Sequence, residues 1–383
     1  MHYLSLILFL SSFLSIIQCI SINFTKESTI KSSSSNIRFL NEISFPTTIL
    51  ESTSLIIKAS LGNPAQPIKF KLSINTPYTW VASSEGNRGK GYNPSLSSSY
   101  QPFENVSRVT IPFYNMQGYP FKDTFSSKQS ELSLQEFPFI LVNERITGID
   151  SNDFEGVIGI CSRFSNYKER EFSLVEALYQ EGKIQIKIFY IEHINHSQGR
   201  LVIGEYPKNF KNERDHYHHH EIIKFRKDNY DYFNVNVHAV FFSSKNNYKK
   251  NHSFTIINTP FQFNAESNTN MVSQEIYQEI KHNLFDEAIK NGECYEAKEI
   301  SFNYIYCNAD FNKDIGTINF VFDDWTYQIG PDDYFFKTPA KKFFLFISLI
   351  RQDMNIFGNP FMKKFLTIFN IGESKMWIYD NNN

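Results

Sequence analysis

From Leu55 onward the chain breaks into short runs in which apolar and polar positions alternate. Ile68, Phe70 and Leu72 alternate with Lys69 and Lys71, and Val235 and Val237 alternate with Asn234 and Asn236. A period of two carried by β-branched and aromatic residues predicts strands with one buried face. Helical periodicity is scarce. Its best candidates are Ser173–Gln180, with Ser at the N-cap position, and Ser273–Leu284. The expected class is mainly β, with two or three short helices.

Two stretches stand outside this texture. Met1–Ile20 opens with a polar tripeptide and then runs apolar from Leu4, broken only by Ser5, Ser11, Ser12, Ser15 and Gln18. It reads as a secretory signal peptide. A signal anchor is the alternative, because no Lys or Arg precedes the apolar run. No later segment offers the roughly 18 apolar residues of a membrane span, so no membrane association is expected after signal cleavage. Residues 21–50 are rich in Ser, Thr and Asn with little periodicity, and are read as a leader or pro-segment. The polar stretch Asn209–His220 then divides the remainder into halves, 51–208 and 209–383. Each half contains Ile-Asn-Thr-Pro followed by an aromatic: Ile74 to Tyr78, and Ile257 to Phe261. That recurrence suggests duplicated lobes.

Composition narrows the function classes. The 383 residues allow two lobes, and 38 Phe, 21 Tyr and 3 Trp make 16% of them aromatic. Charge is nearly balanced, 38 basic against 40 acidic for a net of −2. With no basic stripe to meet a phosphate backbone, nucleic acid is not an expected partner. Of four Cys, Cys19 leaves with the signal and Cys161, in an apolar run, reads as a buried thiol. Cys294 and Cys307 are the one close pair and could close a disulfide loop in an oxidising compartment. Asn23, Asn105, Asn195 and Asn251 head Asn-x-Ser/Thr sequons, acceptors for glycosylation in a secreted chain. His216 and His218 to His220, with Asp215 and Glu221, are the densest set of metal-ligand types. Adjacent strand positions face opposite ways, so a solvated inter-lobe loop is the reading, and neither a metal nor a cofactor is expected. Gly-x-Ser-x-Gly, His-Glu-x-x-His and phosphate-cradling glycine motifs are absent from the sequence.

A set of ordered blocks resembles the pepsin-like aspartic peptidases over about residues 50–380. Leu61 to Gln66 is similar to Ile-Gly-Thr-Pro-x-Gln, and Trp80-Val81 to the Trp-Val beyond the first catalytic turn. Phe154 to Ile160 matches Phe-Asp-Gly-Ile-Leu-Gly-Leu, and Ser173-Leu174-Val175 with Tyr179 to Lys183 the helix that follows. Gly199 to Gly204 resembles the strand joining the lobes, and Asn355 to Phe361 with Phe365 to Phe369 the C-terminal blocks. The resemblance implies a bilobal fold, two homologous β-barrel-like lobes around a cleft that holds an extended peptide. It also implies a monomer, a disulfide where Cys294 and Cys307 fall, and residence outside the cell or in a vacuole- or lysosome-like lumen. Either Phe113 or Tyr114 takes the place of the flap tyrosine, and Lys31 is a candidate for the pro-segment lysine.

The family's chemistry needs two Asp residues that share one proton, each in an Asp-Thr/Ser-Gly-Thr/Ser turn. Counting from Gly62 to Trp80 puts Ser73 at the first Asp; matching the tripeptide's shape puts Asn75 there. The same options give Ile256 or Asn258 in the second half, with Glu266 eight positions beyond Asn258 and too far along to enter the turn. A hydroxyl or an amide does not exchange protons as a carboxylate does. The expectation is therefore no catalytic residue, and a pseudoenzyme that binds a peptide or protein. Its rivals are an active endopeptidase recruiting another acid, and an inhibitor or lectin-like protein using a surface away from the cleft.

Overall fold

The computed structural model describes residues 20–26, 55–86, 90–103, 108–111, 116–128, 132–143, 154–161, 172–193, 198–213, 216–222, 226–227, 230–231, 233–243, 254–299, 302–312, 315–338, 340–349 and 354–379. Strands dominate. Those that position the site are β1 (Ile20–Lys26), β2 (Leu55–Leu61), β3 (Gln66–Ser73), β4 (Trp80–Ala82), β5 (Met116–Ser127), β6 (Leu132–Val142) and β7 (Gly156–Gly159). After helix α1 (Leu174–Gln180) come β8 (Ile188–His193), β9 (Gln198–Ile203), β10 (Tyr217–Glu221), β11 (Asn234–Ser243) and β12 (Phe254–Phe263). Helix α2 (Gln274–Ile280) is followed by β13 (Thr317–Phe322), β14 (Trp325–Ile329), β15 (Ile356–Phe357), α3 (Asn359–Lys364), β16 (Leu366–Asn370) and β17 (Lys375–Tyr379).

These strands form two large sheets. A 14-stranded sheet runs β10-β17-β16-β8-β9-β1-β2-β3-β7-β4-β6-β5 and ends on a short strand, Gln101–Pro102. An 11-stranded sheet takes in β14, β13, β11, β12 and β15 and continues into the strands between 270 and 349. The first sheet therefore gathers the N-terminal half together with β10 and the chain's last two strands. Alternation explains the burial: in β3, Ile68, Phe70 and Leu72 are buried while Lys69 and Lys71 are partly exposed. Both expected helices are present. Ser273 Oγ caps α2 by accepting from the Ile276 amide at 3.4 Å, and a wide π turn, Lys281–Phe285, carries that helix on to Lys290.

Aromatic side chains fill the core. Phe361, Phe365 and Phe369 are all buried, and Phe361 lies 4.0 Å from Phe357 and 4.8 Å from Phe365, ring centre to ring centre. Each such ring stabilises by roughly 1.5–3 kcal/mol through burial, with more from ring-to-ring geometry. Cys294 and Cys307 form a disulfide across paired strands, and Cys161 is a buried free thiol.

One sequence expectation changes here, and one segment gains a place in the sheet. The histidine stretch is not a solvated loop: Tyr217–Glu221 is a strand paired along its length with β17, and it buries His218 and His220 while exposing His219. The period of two, His218 and His220 inward against His219 and Glu221 outward, is the physical reason. The beginning of the Ser-rich leader is also ordered. Ile20, Ile22 and Phe24 alternate with Ser21, Asn23 and Thr25, and this segment pairs with β9 on one side and β2 on the other. The path of the large sheet passes through it. Asn23 lies in this strand; Asn105, Asn195, Asn251, Lys31, Phe113 and Tyr114 lie outside the described residues.

Deleting residues 21–26 should strip β2 and β9 of a shared partner. The expected loss is about 3 kcal/mol or more, summed over backbone hydrogen bonds of about 0.5–1.5 kcal/mol each. Urea unfolding of mature protein with and without the segment measures it; an unchanged midpoint would contradict a structural role for β1.

Candidate active site

Two loops, one at the end of β3 and one at the end of β12, come together through matching local geometry. In the first, β3 runs parallel to β7, with Leu72 opposite Ile158 and Ser73 opposite Gly159. In the second, β12 runs parallel to β15, with Gln262 opposite Ile356 and Phe263 opposite Phe357. The next position in that register sets Asn264 opposite Gly358, and the Asn264 amide donates to the Phe357 carbonyl at 2.9 Å. Asn264 therefore corresponds to Ser73.

The glycines confirm the match. A Cβ on Gly159 would lie 2.5 Å from the Pro77 carbonyl carbon and 2.6 Å from the Thr76 carbonyl oxygen, and one on Gly358 would lie 2.2 Å from the Thr269 carbonyl oxygen and 2.8 Å from that of Ser267. Neither site tolerates a side chain because each loop packs directly on its glycine. Thr76 and Ser267 each stand three positions past Ser73 and Asn264. The two equivalent segments are thus Ser73-Ile74-Asn75-Thr76 and Asn264-Ala265-Glu266-Ser267.

The repeated Ile-Asn-Thr-Pro is a false guide. Its first copy forms the first loop, whereas Ile257 to Pro260 lies within β12, several residues before the second. Ile256 pairs with Ala239 and Pro260 with Asn236. Asn258 has a positive φ of 41° beside the register shift between Val237 and Ala239. It is exposed, and its Oδ1 lies 3.0 Å from His238 Nδ1. Neither Ile256 nor Asn258 stands at the register position that matches Ser73.

Glu266 occupies the position where the resemblance would put the glycine of the second turn, and its side chain crosses to the first loop. Ser73 Oγ donates a hydrogen bond to Glu266 Oε1, and Lys71 Nζ lies 3.0 Å from Oε2. Side-chain exposure is 7% for Glu266 and 17% for Lys71, so the pair is largely shielded from water. The Glu266 amide in turn donates to Asn264 Oδ1 at 2.8 Å, which fixes the loop's shape. The Lys71 ammonium also sits 5.7 Å from the centre of the Phe154 ring. Asn75, at the first turn's glycine position, is buried, with its amide N–H 3.4 Å from Ser73 Oγ. Both polar atoms of its side chain are buried without a partner among the described residues.

The match to a family model for eukaryotic aspartyl proteases spans residues 54–378. The chain belongs to the eukaryotic aspartyl protease family. Its fold is the family's bilobal one. No curated protein matches this chain. Within loops 73–79 and 264–270, Glu266 is the one carboxylate. Among the described residues no group of three or more His, Cys, Asp or Glu is placed to hold a metal ion, and no helix is long and apolar enough to cross a membrane.

Sequence reasoning missed Asn264 and Lys71, and set Glu266 aside as too far along the chain. The signal was present in Ile356-Phe357-Gly358, whose glycine marks the partner loop as Gly159 marks the first.

A shielded carboxylate and ammonium depend on each other, since removing one leaves the other without compensation. Glu266→Gln should cost about 3 kcal/mol of unfolding free energy, and adding Lys71→Met should recover most of that loss. A double-mutant cycle in urea measures the coupling. Strictly additive losses would show that the two side chains do not act together.

Proposed function

We propose that this family member is a non-proteolytic protein of the secretory pathway that binds a peptide or another protein in the cleft between its lobes. The observation that carries the proposal is the occupancy of the two catalytic loops: Ser73 and Asn264 at the equivalent positions, and a single carboxylate, Glu266, with both oxygens engaged. The family mechanism needs one carboxylate to take a proton from water and a second to hand one to the scissile carbonyl. Each general acid or base contributes about 10²–10⁴ in rate. A serine hydroxyl and an asparagine amide supply neither.

Binding does not require that pair. An extended peptide in such a cleft is held by backbone hydrogen bonds and side-chain pockets. Phe113 or Tyr114 would cover the ligand from the flap. Signal peptide, sequons and the Cys294–Cys307 disulfide together favour an oxidising lumen or the cell exterior. We take the protein to be a monomer without a cofactor.

Glu266 itself favours a second reading, an endopeptidase working with one carboxylate. One experiment separates the two. Mature protein is incubated with denatured casein or haemoglobin from pH 2 to 7, with and without a statine-type inhibitor. Product at the buffer rate throughout is expected. Inhibitor-sensitive cleavage that disappears in Glu266→Gln would support the peptidase.

A further inference from the structure

The buried histidines of β10 take no part in the cleft, yet they sit in a continuous chain of hydrogen bonds. His220 Nδ1 lies 2.6 Å from Asp323 Oδ2, and His220 Nε2 lies 2.6 Å from the Tyr327 hydroxyl. The same hydroxyl lies 3.1 Å from His218 Nδ1. The His218 ring is stacked on Trp325, centres 3.5 Å apart and planes 8° from parallel. Asp323, Trp325 and Tyr327 all belong to the β13–β14 hairpin of the 11-stranded sheet, whereas β10 belongs to the 14-stranded sheet. The chain of bonds therefore ties one sheet to the other.

Its direction follows from what each group can do. An ionised carboxylate only accepts, so His220 carries its proton on Nδ1 and its Nε2 accepts from Tyr327. Tyr327, having donated, accepts from His218 Nδ1. A proton added to His220 can go only to Nε2, where it meets the hydroxyl hydrogen of Tyr327. Relief requires that hydroxyl to turn toward His218, and His218 to move its own proton to the other ring nitrogen. One proton thus reverses both bonds of the Tyr327 hydroxyl, while His220 Nδ1 goes on donating to Asp323. We propose that Asp323, His220, Tyr327 and His218 form an acid-operated latch between the two sheets, closed while His220 is neutral and loosened when it is protonated.

The charged surroundings set the latch's sign. Burial of the ring pushes His220 down from 6.5 to about 4, the carboxylate of Asp323 opposes that, and His218 and His219 on the same strand add to it. From β11, His238 Nε2 approaches Asp323 Oδ1 at 4.0 Å and competes for the same carboxylate. Two apolar residues also lie beside it: Phe322, whose ring centre is 4.8 Å away, and Met376, paired across from β17. With the folded value below the unfolded one, the unfolded chain binds the extra proton first. Stability is full above about pH 6.5, declines as pH falls toward about 4, and is flat with respect to this group below that.

Histidine side-chain NMR of the mature protein from pH 7.5 to 3.5 tests the latch, with the His218 and His220 rings assigned by through-bond correlation to the backbone in the wild type. His220 is expected to titrate near pH 4, and the ring nitrogens of His218 to report a tautomer change at the same midpoint. Between pH 6.5 and 4 the wild-type melting temperature should fall by about 5 °C more than that of His220→Gln. A His220 titrating near 6.5, His218 and His220 titrating independently, or an equal pH dependence in the variant would each overturn the proposal. The wild-type titration decides the matter even where the variant does not fold.

Discussion

The carboxylate of Glu266 is the constraint around which the cleft floor is organised. It is a charge held largely out of water, and such a charge persists only where opposite charge and hydrogen-bond donors surround it. Lys71 supplies the charge and Ser73 the hydrogen bond, both from the opposite lobe. An active relative joins its two loops at this point through two carboxylates and a shared proton. Here the join is an ion pair and one hydrogen bond, a complete arrangement with no proton in transit. The loop shapes survive because they rest on backbone packing against Gly159 and Gly358, which does not depend on the residues presented at the tips.

That separation of scaffold from chemistry lets the family fold be kept whatever side chains the loop tips present. Strand alternation, the aromatic core and the parallel pairings of β3 with β7 and of β12 with β15 hold each loop in place. What the loops present can then drift. The side chain of Glu266 reaches across to Ser73 and Lys71, and that of Asn75 is buried.

Much of this was legible in the sequence. The period-two runs read directly as strands, and Phe154 to Ile160 and Asn355 to Phe361 marked both partner segments. The second loop was not legible because the repeated Ile-Asn-Thr-Pro drew attention to β12's interior. Strand residues and turn residues can share a tetrapeptide, since Asn and Pro serve at a bulged strand position as well as in a turn. Measured from Asn258, Glu266 is too distant; measured from Asn264, it is two positions along. Proximity across the lobes, such as that of Lys71 to Glu266, separated by nearly two hundred residues, leaves no local pattern. The histidine run had the opposite fault: its polarity suggested solvent, while its alternation already described a strand with one face turned inward.

The central claim is that no pair of carboxylates faces the cleft. A statine-type ligand carries a hydroxyl that such a pair grips as it would the attacking water, and the matched deoxy ligand lacks it. Transition-state mimicry of this kind is worth about 10²-fold or more in affinity. Calorimetric titration of both ligands into the mature protein between pH 3 and 7 measures the difference. Equal affinities, or no binding of either, are what Ser73, Asn264 and a fully engaged Glu266 predict. A hundredfold preference for the hydroxyl would contradict the account.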